Sequence, residues 1–375
     1  DLADEFDIYW YLEVNGGLVK EGVLNLHAEP WQTVCFCTDI KAEDYSNRAA
    51  YVTFELIYRK KLPWAARGAS AGFQQISLNK SRYSVPFCRE KYPVLTERNE
   101  DLLTVSVGDV SYRFDMHRGQ LASIQGDGRE MLVSPVRFSV WRAPTDNDRN
   151  IMHKWRAAGF DRLIPSCRKT NFREENGYAV ITAETVLAAD SKKPCVYIFS
   201  KYIVSSDGRL EVKNSVTISE GLPYLPHFGM ELIMPAQTEK LRYFGFGPGD
   251  SYADKRLASR KCLFETTVSD NYEYPVKPQE SGNHFGTEFA EITSLTGQGL
   301  RIEAKRDFEI NALHYSKEQL TETGHDCDLV PSELTYLSVD YRNSGIGSNS
   351  CGPELHENFR ISEKAFEFDF MISVI

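Results

Sequence analysis

The sequence lacks most of the residue patterns that mark a metal centre or a nucleotide site. Its eight cysteines include one Cys-x-Cys pair and no Cys-x-x-Cys, so paired thiolates at zinc spacing are missing and reduced thiols are expected. None of the eight histidines forms His-x-x-x-His, and no glycine-rich segment ends in Gly-Lys-Ser/Thr. We therefore expect no bound metal and no cofactor.

The sequence also lacks long apolar runs and basic clusters. Its apolar runs are far shorter than the ~20 residues that a membrane-spanning helix needs. The net charge is −10 and no Lys/Arg run exceeds a few residues, which argues against nucleic acid or a membrane surface as a partner. The chain begins at Asp1 rather than Met, which indicates a piece of a longer protein. We expect a cytoplasmic location, and a periplasmic one stays open.

Helical periodicity is scarce, whereas alternation of apolar and polar residues is frequent, which predicts an all-β fold. Residues 7–26 predict a hairpin that turns at Asn15-Gly16-Gly17. Residues 1–78 are predicted to form a compact antiparallel sandwich, and the charged, proline-containing segment 79–100 a linker. Strand patterns then continue over residues 101–375, which predicts a large antiparallel two-sheet sandwich.

Two helices are predicted within this second block. Asp148 is expected to cap the first helix, whose apolar face carries Ile151, Trp155 and Ala158, and Gly159 to end it. A second, shorter helix is predicted over residues 250–260.

The string "WRAPTDNDR" from Trp141 is the first distinctive feature of the sequence. Asp146, Asn147 and Asp148 offer oxygen ligands for Ca²⁺, but the rest of an EF-hand loop is missing, and a turn with a helix cap explains them more simply. Trp141 is positioned either to stack on a sugar or to fill the core, and the apolar residues before it favour the core.

The string "GIGSNSCGP", residues 345–353, is the second distinctive feature. Its glycines, Ser-Asn-Ser triplet and Gly-Pro pair predict a polar loop with unusual backbone angles. Loops between sandwich strands often bind ligands, but the residues alone slightly favour a purely structural loop.

These strings, in this order, resemble the last domain of large bacterial β-galactosidases of glycoside hydrolase family two. "WRAPTDNDR" is similar to a signature near the start of that domain. "FGFGPGDSYADKRLASR" follows its F-G-x-G-P-x-E-x-Y-x-D-R stretch, with Asp250 in place of the usual Glu. "YPVKPQESGNHFGTEFAEIT", "HYSKEQLTETGHDCDL" and "GIGSNSCGP" come next in the family's order.

The resemblance implies an immunoglobulin-like sandwich over residues 1–78 and a galactose mutarotase-like supersandwich over residues 101–375. In the family a TIM barrel of the same polypeptide carries the acid/base Glu and the nucleophilic Glu of the retaining mechanism. Neither barrel motif occurs here, so no catalytic residue is expected in this chain. It is expected to pack on the barrel and to help wall the sugar site, while Trp141, Arg142, Asp146, Asn147 and Asp148 serve as a structural motif.

The resemblance also implies which residues contact the sugar. The final loop of some family members supplies a tryptophan that stacks on the sugar, and Cys351 stands at that place here. Weak contact with a β-galactoside is therefore expected from Ser348, Asn349 and Ser350, with Cys351 beside them. The family's common Arg before Phe/Ile-Gly is replaced by His227.

Two other functions stay open at this stage. The chain is alternatively a stand-alone, mutarotase-like aldose epimerase, which would need a general acid and base, a His and a Glu, in one pocket. It is alternatively a carbohydrate-binding module. Self-association into a homo-oligomer also stays open, because an apolar face that meets the barrel would be exposed without it.

Overall fold

The computed structural model describes residues 2–375, and strands dominate them, which confirms the all-β class. Its α-helices are α1 (Leu2–Glu5), α2 (Ile151–Ala158) and α3 (Lys317–Glu322). Single 3₁₀ turns occur at Ala42–Tyr45, Asp146–Arg149, Phe160–Arg162, Ser269–Asn271, Asp326–Asp328 and Glu357–Phe359. None of the helices in this described part has the length and apolar character needed to cross a membrane.

The first unit is a four-stranded antiparallel sheet in the order β2-β1-β3-β4. Its strands are β1 (Phe6–Val14), β2 (Gly17–Leu24), β3 (Ala50–Tyr58) and β4 (Ser70–Ser77). The predicted hairpin is confirmed, because β1 and β2 pair directly across Asn15-Gly16. Both turn residues have positive φ, +48° and +73°, as a two-residue type I′ turn requires.

One face of this sheet is apolar and carries Leu12, Val14 and Val52. A second sheet does not cover it in residues 2–78; the covering chain is irregular and includes the 3₁₀ turn that buries Tyr45. Phe36 adds an edge-on ring contact with Phe54 at 5.5 Å. The covering chain lies between β2 and β3, over residues 25–49. Charged residues and Pro30 interrupt the alternation of apolar and polar residues there, so this chain covers the core without forming strands.

The opposite face of the sheet docks on the second unit. Thr53 on β3 is 1% exposed for this reason. The Gln75 amide accepts a hydrogen bond from the Lys261 N–H at 2.7 Å and donates to the Lys261 carbonyl at 3.0 Å. The Gln75 side chain therefore satisfies the free edge of a strand in the second unit, as a neighbouring strand would.

Residues 79–100, predicted as a linker, make tertiary contacts. Tyr83 stacks on Phe244 at 4.5 Å, and its N–H donates to Glu288 Oε2 at 2.6 Å. The end of the segment, Leu95–Asn99, is the first strand of the next sheet.

That sheet has five antiparallel strands in sequence order. They are β5 (Leu95–Asn99), β6 (Leu102–Val107), β7 (Val110–Asp115), β8 (Gln120–Gly126) and β9 (Arg129–Glu130). Its apolar side chains, such as Leu103 and Phe114, share one core with residues of a twelve-stranded sheet, such as Tyr202 and Phe370. The two sheets thus form the predicted two-layer sandwich.

The twelve-stranded sheet supplies most of the second unit. Nine strands follow the order β10-β15-β20-β19-β21-β14-β13-β12-β11. The other three form a branch from β19, in which β18 pairs with β19, β16 pairs with β18, and β17 pairs with β16. Their bounds are β10 (Arg137–Ser139), β11 (Ile164–Glu175), β12 (Tyr178–Ala188), β13 (Val196–Val204), β14 (Leu210–Ile218), β15 (His227–Pro235), β16 (Thr238–Gly247), β17 (Arg260–Thr267), β18 (His284–Ser294), β19 (Gly299–Leu313), β20 (Leu334–Asn343) and β21 (Ala365–Val374).

Of the two helices predicted from sequence, the first is confirmed as α2, and Gly159 ends it in the left-handed conformation. Asp148 does not cap it; Asn150 stands at the N-cap, and Asp148 lies in the preceding 3₁₀ turn. The second predicted helix, over residues 250–260, is wrong. That segment is a turn closed by hydrogen bonds between Tyr252 and Lys255. The Asp254 carboxylate at its centre bonds to the N–H groups of Ile346 and Gly347 instead of lying on a solvent-facing helix.

Candidate functional site

Arg142 and Asp148 form the buried centre of the site. The guanidinium is fully buried and pairs with the carboxylate through two bonds, Nε to Oδ2 at 3.1 Å and Nη2 to Oδ1 at 2.8 Å. Asp148 Oδ2 also accepts the N–H of Thr145 at 3.0 Å, which closes the 3₁₀ turn. A bidentate pair of this kind fixes both the distance and the orientation of the two side chains. It therefore joins the 3₁₀ turn at Asp146–Arg149 rigidly to the chain at Arg142.

The same guanidinium holds the second distinctive string, which we call the glycine loop (residues 345–353). Arg142 Nη2 donates to the Gly345 carbonyl at 3.1 Å, and Nη1 donates to the carbonyl of Ser344. These carbonyls are far from Arg142 in sequence, so one buried cation ties the two strings together.

Further side chains fix the backbone of the glycine loop. Asp254 accepts the N–H of Ile346 at 2.9 Å and the N–H of Gly347 at 2.8 Å, one on each carboxylate oxygen. Asn147 Nδ2 donates to the Ile346 carbonyl at 2.6 Å, and Asn150 Nδ2 donates to the Asn349 carbonyl at 3.2 Å. The Asn147 side chain, which the sequence offered as an oxygen ligand, thus binds the glycine loop through its amide nitrogen.

A cavity of about 430 Å³ opens beside this joint. Four of the five quoted strings contribute to its wall, and the string "HYSKEQLTETGHDCDL" does not, so most of the strings that stand out in the sequence converge in space. The lining includes Thr145, Asp146 and Asn147; Asp250 and Lys255; Glu273, Pro275, Gln279, Glu280 and Ser281; and Ile346 and Gly347.

Carboxylates dominate the charge of this cavity. Burial raises the pKa of Glu280 to about 7, and its Oε1 accepts a hydrogen bond from Asn311 Nδ2 at 3.2 Å. Burial also raises the pKa of Asp250, against the opposing effect of its partner Lys255. Glu273 Oε1 accepts the Asp250 N–H at 2.7 Å. The wall therefore offers mainly acceptors, with one ammonium group, to a polar ligand with several hydroxyl donors.

The predicted sugar-contacting residues lie beyond the cavity lining. Ser348 and Ser350 are half-buried and Cys351 is exposed. Asn349 is buried and has a φ of +91°, a value that few residues other than glycine adopt. These four residues directly follow Ile346 and Gly347 of the cavity lining in the chain.

Trp141 lies in the core, which is the position that the preceding apolar residues predict. It is 8% exposed, packs edge-on against Trp155 at 6.5 Å, and donates its indole N–H to Thr321 Oγ1 at 3.1 Å. An indole held in this way presents no open face for a sugar.

Sequence reasoning missed Asp254 and Glu280. Both lie inside quoted strings, "GFGPGDSYADK" and "YPVKPQESGN", but neither was singled out. A carboxylate that binds loop amides carries no local signature, because its partners lie some ninety residues away in sequence.

A second polar group lies on the sheet beneath α3. His227 Nδ1 is 3.2 Å from Asp340 Oδ2, and its Nε2 is 2.9 Å from Ser139 Oγ and 3.2 Å from Lys317 Nζ. Burial, followed by the nearby Lys317 charge, lowers the pKa of His227. His227 is 1% and Asp340 3% exposed, so this group lies inside the protein.

Comparison with known proteins extends the sequence resemblance. Residues 106–372 match the family described as beta galactosidase small chain, and residues 1–79 match the family described as beta-galactosidase, domain 4. A β-galactosidase of Actinobacillus pleuropneumoniae is 30% identical over 374 residues, which cover 99% of this chain and 36% of the relative. One from Staphylococcus xylosus is 35% identical over 283 residues, covering 75% and 28%. The chain spans about a third of the length of these relatives.

Among solved structures, a galactose 1-epimerase from Lactobacillus acidophilus is similar at a TM-score of 0.33 and 9% identity. The match covers 77% of this chain and 99% of that one. A similarity of this size supports no functional conclusion.

Proposed function

The chain belongs to the β-galactosidase family, and from that premise we propose that it is the non-catalytic C-terminal portion of a retaining β-galactosidase. The parent enzyme would release terminal β-D-galactose, with both catalytic Glu residues on a TIM barrel of the same polypeptide. In this proposal the immunoglobulin-like residues 1–78 and the linker 79–100 lead into the supersandwich 101–375. The supersandwich packs on the barrel and walls its sugar site.

The observation that carries the proposal is the rigid mounting of the glycine loop. Its backbone is held by buried Arg142 and by Asp254, while Ser348, Ser350 and Cys351 remain at or near the surface. A loop that is fixed at its base and polar at its tip suits the positioning of a ligand that a second domain binds.

The loop is expected to contribute binding rather than chemistry. Each neutral hydrogen bond from its Ser hydroxyls to a sugar contributes about 0.5–1.5 kcal/mol net. The two hydroxyls together contribute about 3 kcal/mol at most. Since about 4 kcal/mol corresponds to 1 mM, the chain alone should bind galactose more weakly than that. Cys351 adds no stacking face, because a thiol has no ring.

The test is steady-state kinetics of the parent enzyme with Ser350→Ala. Loss of a contact remote from the reacting carbon should raise KM more than it lowers kcat. Ser166→Ala, an exposed serine on β11, is the matched control and should leave both constants unchanged. If Ser350→Ala behaves like the control while Cys351→Trp also changes nothing, the loop tip does not meet the sugar and this part of the proposal is wrong.

The aldose epimerase alternative has weaker support. Its chemistry needs a general acid and base that a sugar can reach. His227 pairs with Asp340, but both lie at 3% exposure or less beneath α3. His314 pairs with Glu239 at 2.7 Å, but its second ring nitrogen is bonded to the Leu334 carbonyl at 2.9 Å, so both nitrogens already have partners within the chain. The carbohydrate-binding module differs from the main proposal in affinity, since it would need binding much tighter than 1 mM by the chain alone.

A further inference from the structure

A separate cavity of about 480 Å³ lies where the four-stranded sheet meets the second unit. Its wall on the second unit comes from Gly247, Pro248, Ala258 and Arg260, on either side of Asp250 and Lys255 of the candidate site. Three carboxylates line it, from Glu13 on β1, Glu21 on β2 and Glu55 on β3, and Arg260 is the one cationic side chain in its lining. The lining therefore has a net charge of −2 when all four groups are ionised. Tyr11 and Phe73 add aromatic surface.

Glu13 is the most constrained of the three carboxylates. It is 9% exposed, and its Oε1 accepts the thiol of Cys262 at 2.9 Å. Its Oε2 is buried without a hydrogen-bond partner, with Arg260 Nη1 at 4.0 Å as its nearest opposite charge. A buried carboxylate oxygen without a donor is costly, so the site favours a ligand that brings N–H donors and positive charge.

Arg260 neutralises this site only in part. Its guanidinium lies over the Tyr11 ring, 5.6 Å from the centroid, and is too far from Glu13 to hydrogen-bond. Tyr11 donates its hydroxyl to Glu55, and Glu21 is exposed at the cavity's outer edge. Two carboxylates therefore remain without a cation.

The spacing of the carboxylates selects the shape of the ligand. Glu21 and Glu55 stand on the strands that flank β1, and two strand spacings separate them by about 10 Å across the sheet. Among residues 2–375, no group of three or more His, Cys, Asp or Glu side chains is placed to hold a metal ion. Dispersed carboxylates beside aromatic rings fit an elongated organic cation better than a single inorganic ion.

We propose that this cavity between the two units binds a linear polyamine, with ammonium groups on Glu13 and on the flanking Glu21 and Glu55, and methylenes against Tyr11 and Phe73. Arg260 occupies part of the same space and competes with the ligand. The site is independent of the proposed role in sugar binding.

The experiment is calorimetric titration of the 375-residue chain with spermidine at low ionic strength, with butylamine as a probe of single charge. One spermidine should bind per chain, and butylamine at least tenfold more weakly. Glu13→Gln should weaken spermidine binding about tenfold. Glu21→Gln, an exposed change that spares the fold, should weaken it a few-fold. Arg260→Gln should tighten it, because it removes the competing cation.

Glu220→Gln makes the same change of charge at an exposed position outside the cavity lining and serves as the matched control. It should leave the affinity unchanged. An equal loss in Glu220→Gln and Glu21→Gln would mean that spermidine follows net charge alone, and the proposal would be wrong. Absence of one-to-one binding, or equal binding of butylamine and spermidine, would overturn it too.

Discussion

Replacement of Arg142 by Met is expected to destabilise the chain by about 3–5 kcal/mol. The guanidinium is fully buried, and its loss leaves the Asp148 carboxylate, 5% exposed, without a counter-charge. It also frees the carbonyls of Ser344 and Gly345, which would then lack their donor inside the protein. Methionine fills similar space, so the loss of charge and donors dominates over the loss of volume.

The assay is the free energy of unfolding from urea titration of the purified chain at pH 7. Arg173→Met removes an exposed pair with Glu175 and should cost no more than about 1 kcal/mol. The double variant Arg142→Met/Asp148→Leu should recover part of the loss, because it removes the unpaired carboxylate. A cost for Arg142→Met as small as that of Arg173→Met would refute the view that this pair fixes the site.

Three further outcomes are expected. Burial raises the pKa of Glu280 to about 7, above the ~4.3 of an exposed Glu, so the folded state binds this proton more tightly and stability falls as pH rises between those values. This group contributes a fall on the order of 3 kcal/mol. Glu280→Gln should remove that contribution when unfolding is compared at pH 5 and pH 8, while Glu309, whose pKa burial also raises to about 7, retains its own. Lys261→Met should cost about 3–5 kcal/mol because it strands buried Glu288, 2.6 Å away, and Lys261→Met/Glu288→Gln should cost less in the same urea titration. Gly16→Ala should lower the melting temperature measured by calorimetry, since φ is +73° and the new Cβ would lie 2.3 Å from Cβ of Leu263.

Local signals in the sequence predict the fold where they agree with the tertiary structure. The Asn15-Gly16 turn specifies the hairpin, and apolar spacing with a terminal Gly159 specifies α2. The segment 250–260 has helix-like residues but folds as a turn, because Asp254 binds the amides of Ile346 and Gly347. Such long-range bonds override local propensity and leave no local pattern.

The candidate site is predictable in outline only. Its strings stand out by composition, and the family resemblance explains their order along the chain. Their proximity in space cannot be predicted in the same way, because it depends on hydrogen bonds from Arg142 to carbonyls two hundred residues away. Asp148 shows why local patterns are insufficient, since an Asp before an apolar run predicts a helix cap. Here its carboxylate serves a buried cation and a 3₁₀ turn instead.

Turnover of nitrophenyl β-galactoside decides whether this chain is the non-catalytic portion of a larger β-galactosidase. It is measured with the purified 375-residue chain, with the remaining part of the parent enzyme, and with the two combined. We expect no turnover by the chain alone and a gain in activity when it is added to the remaining part. Sustained turnover by the chain alone, after removal of contaminating enzyme, would contradict it.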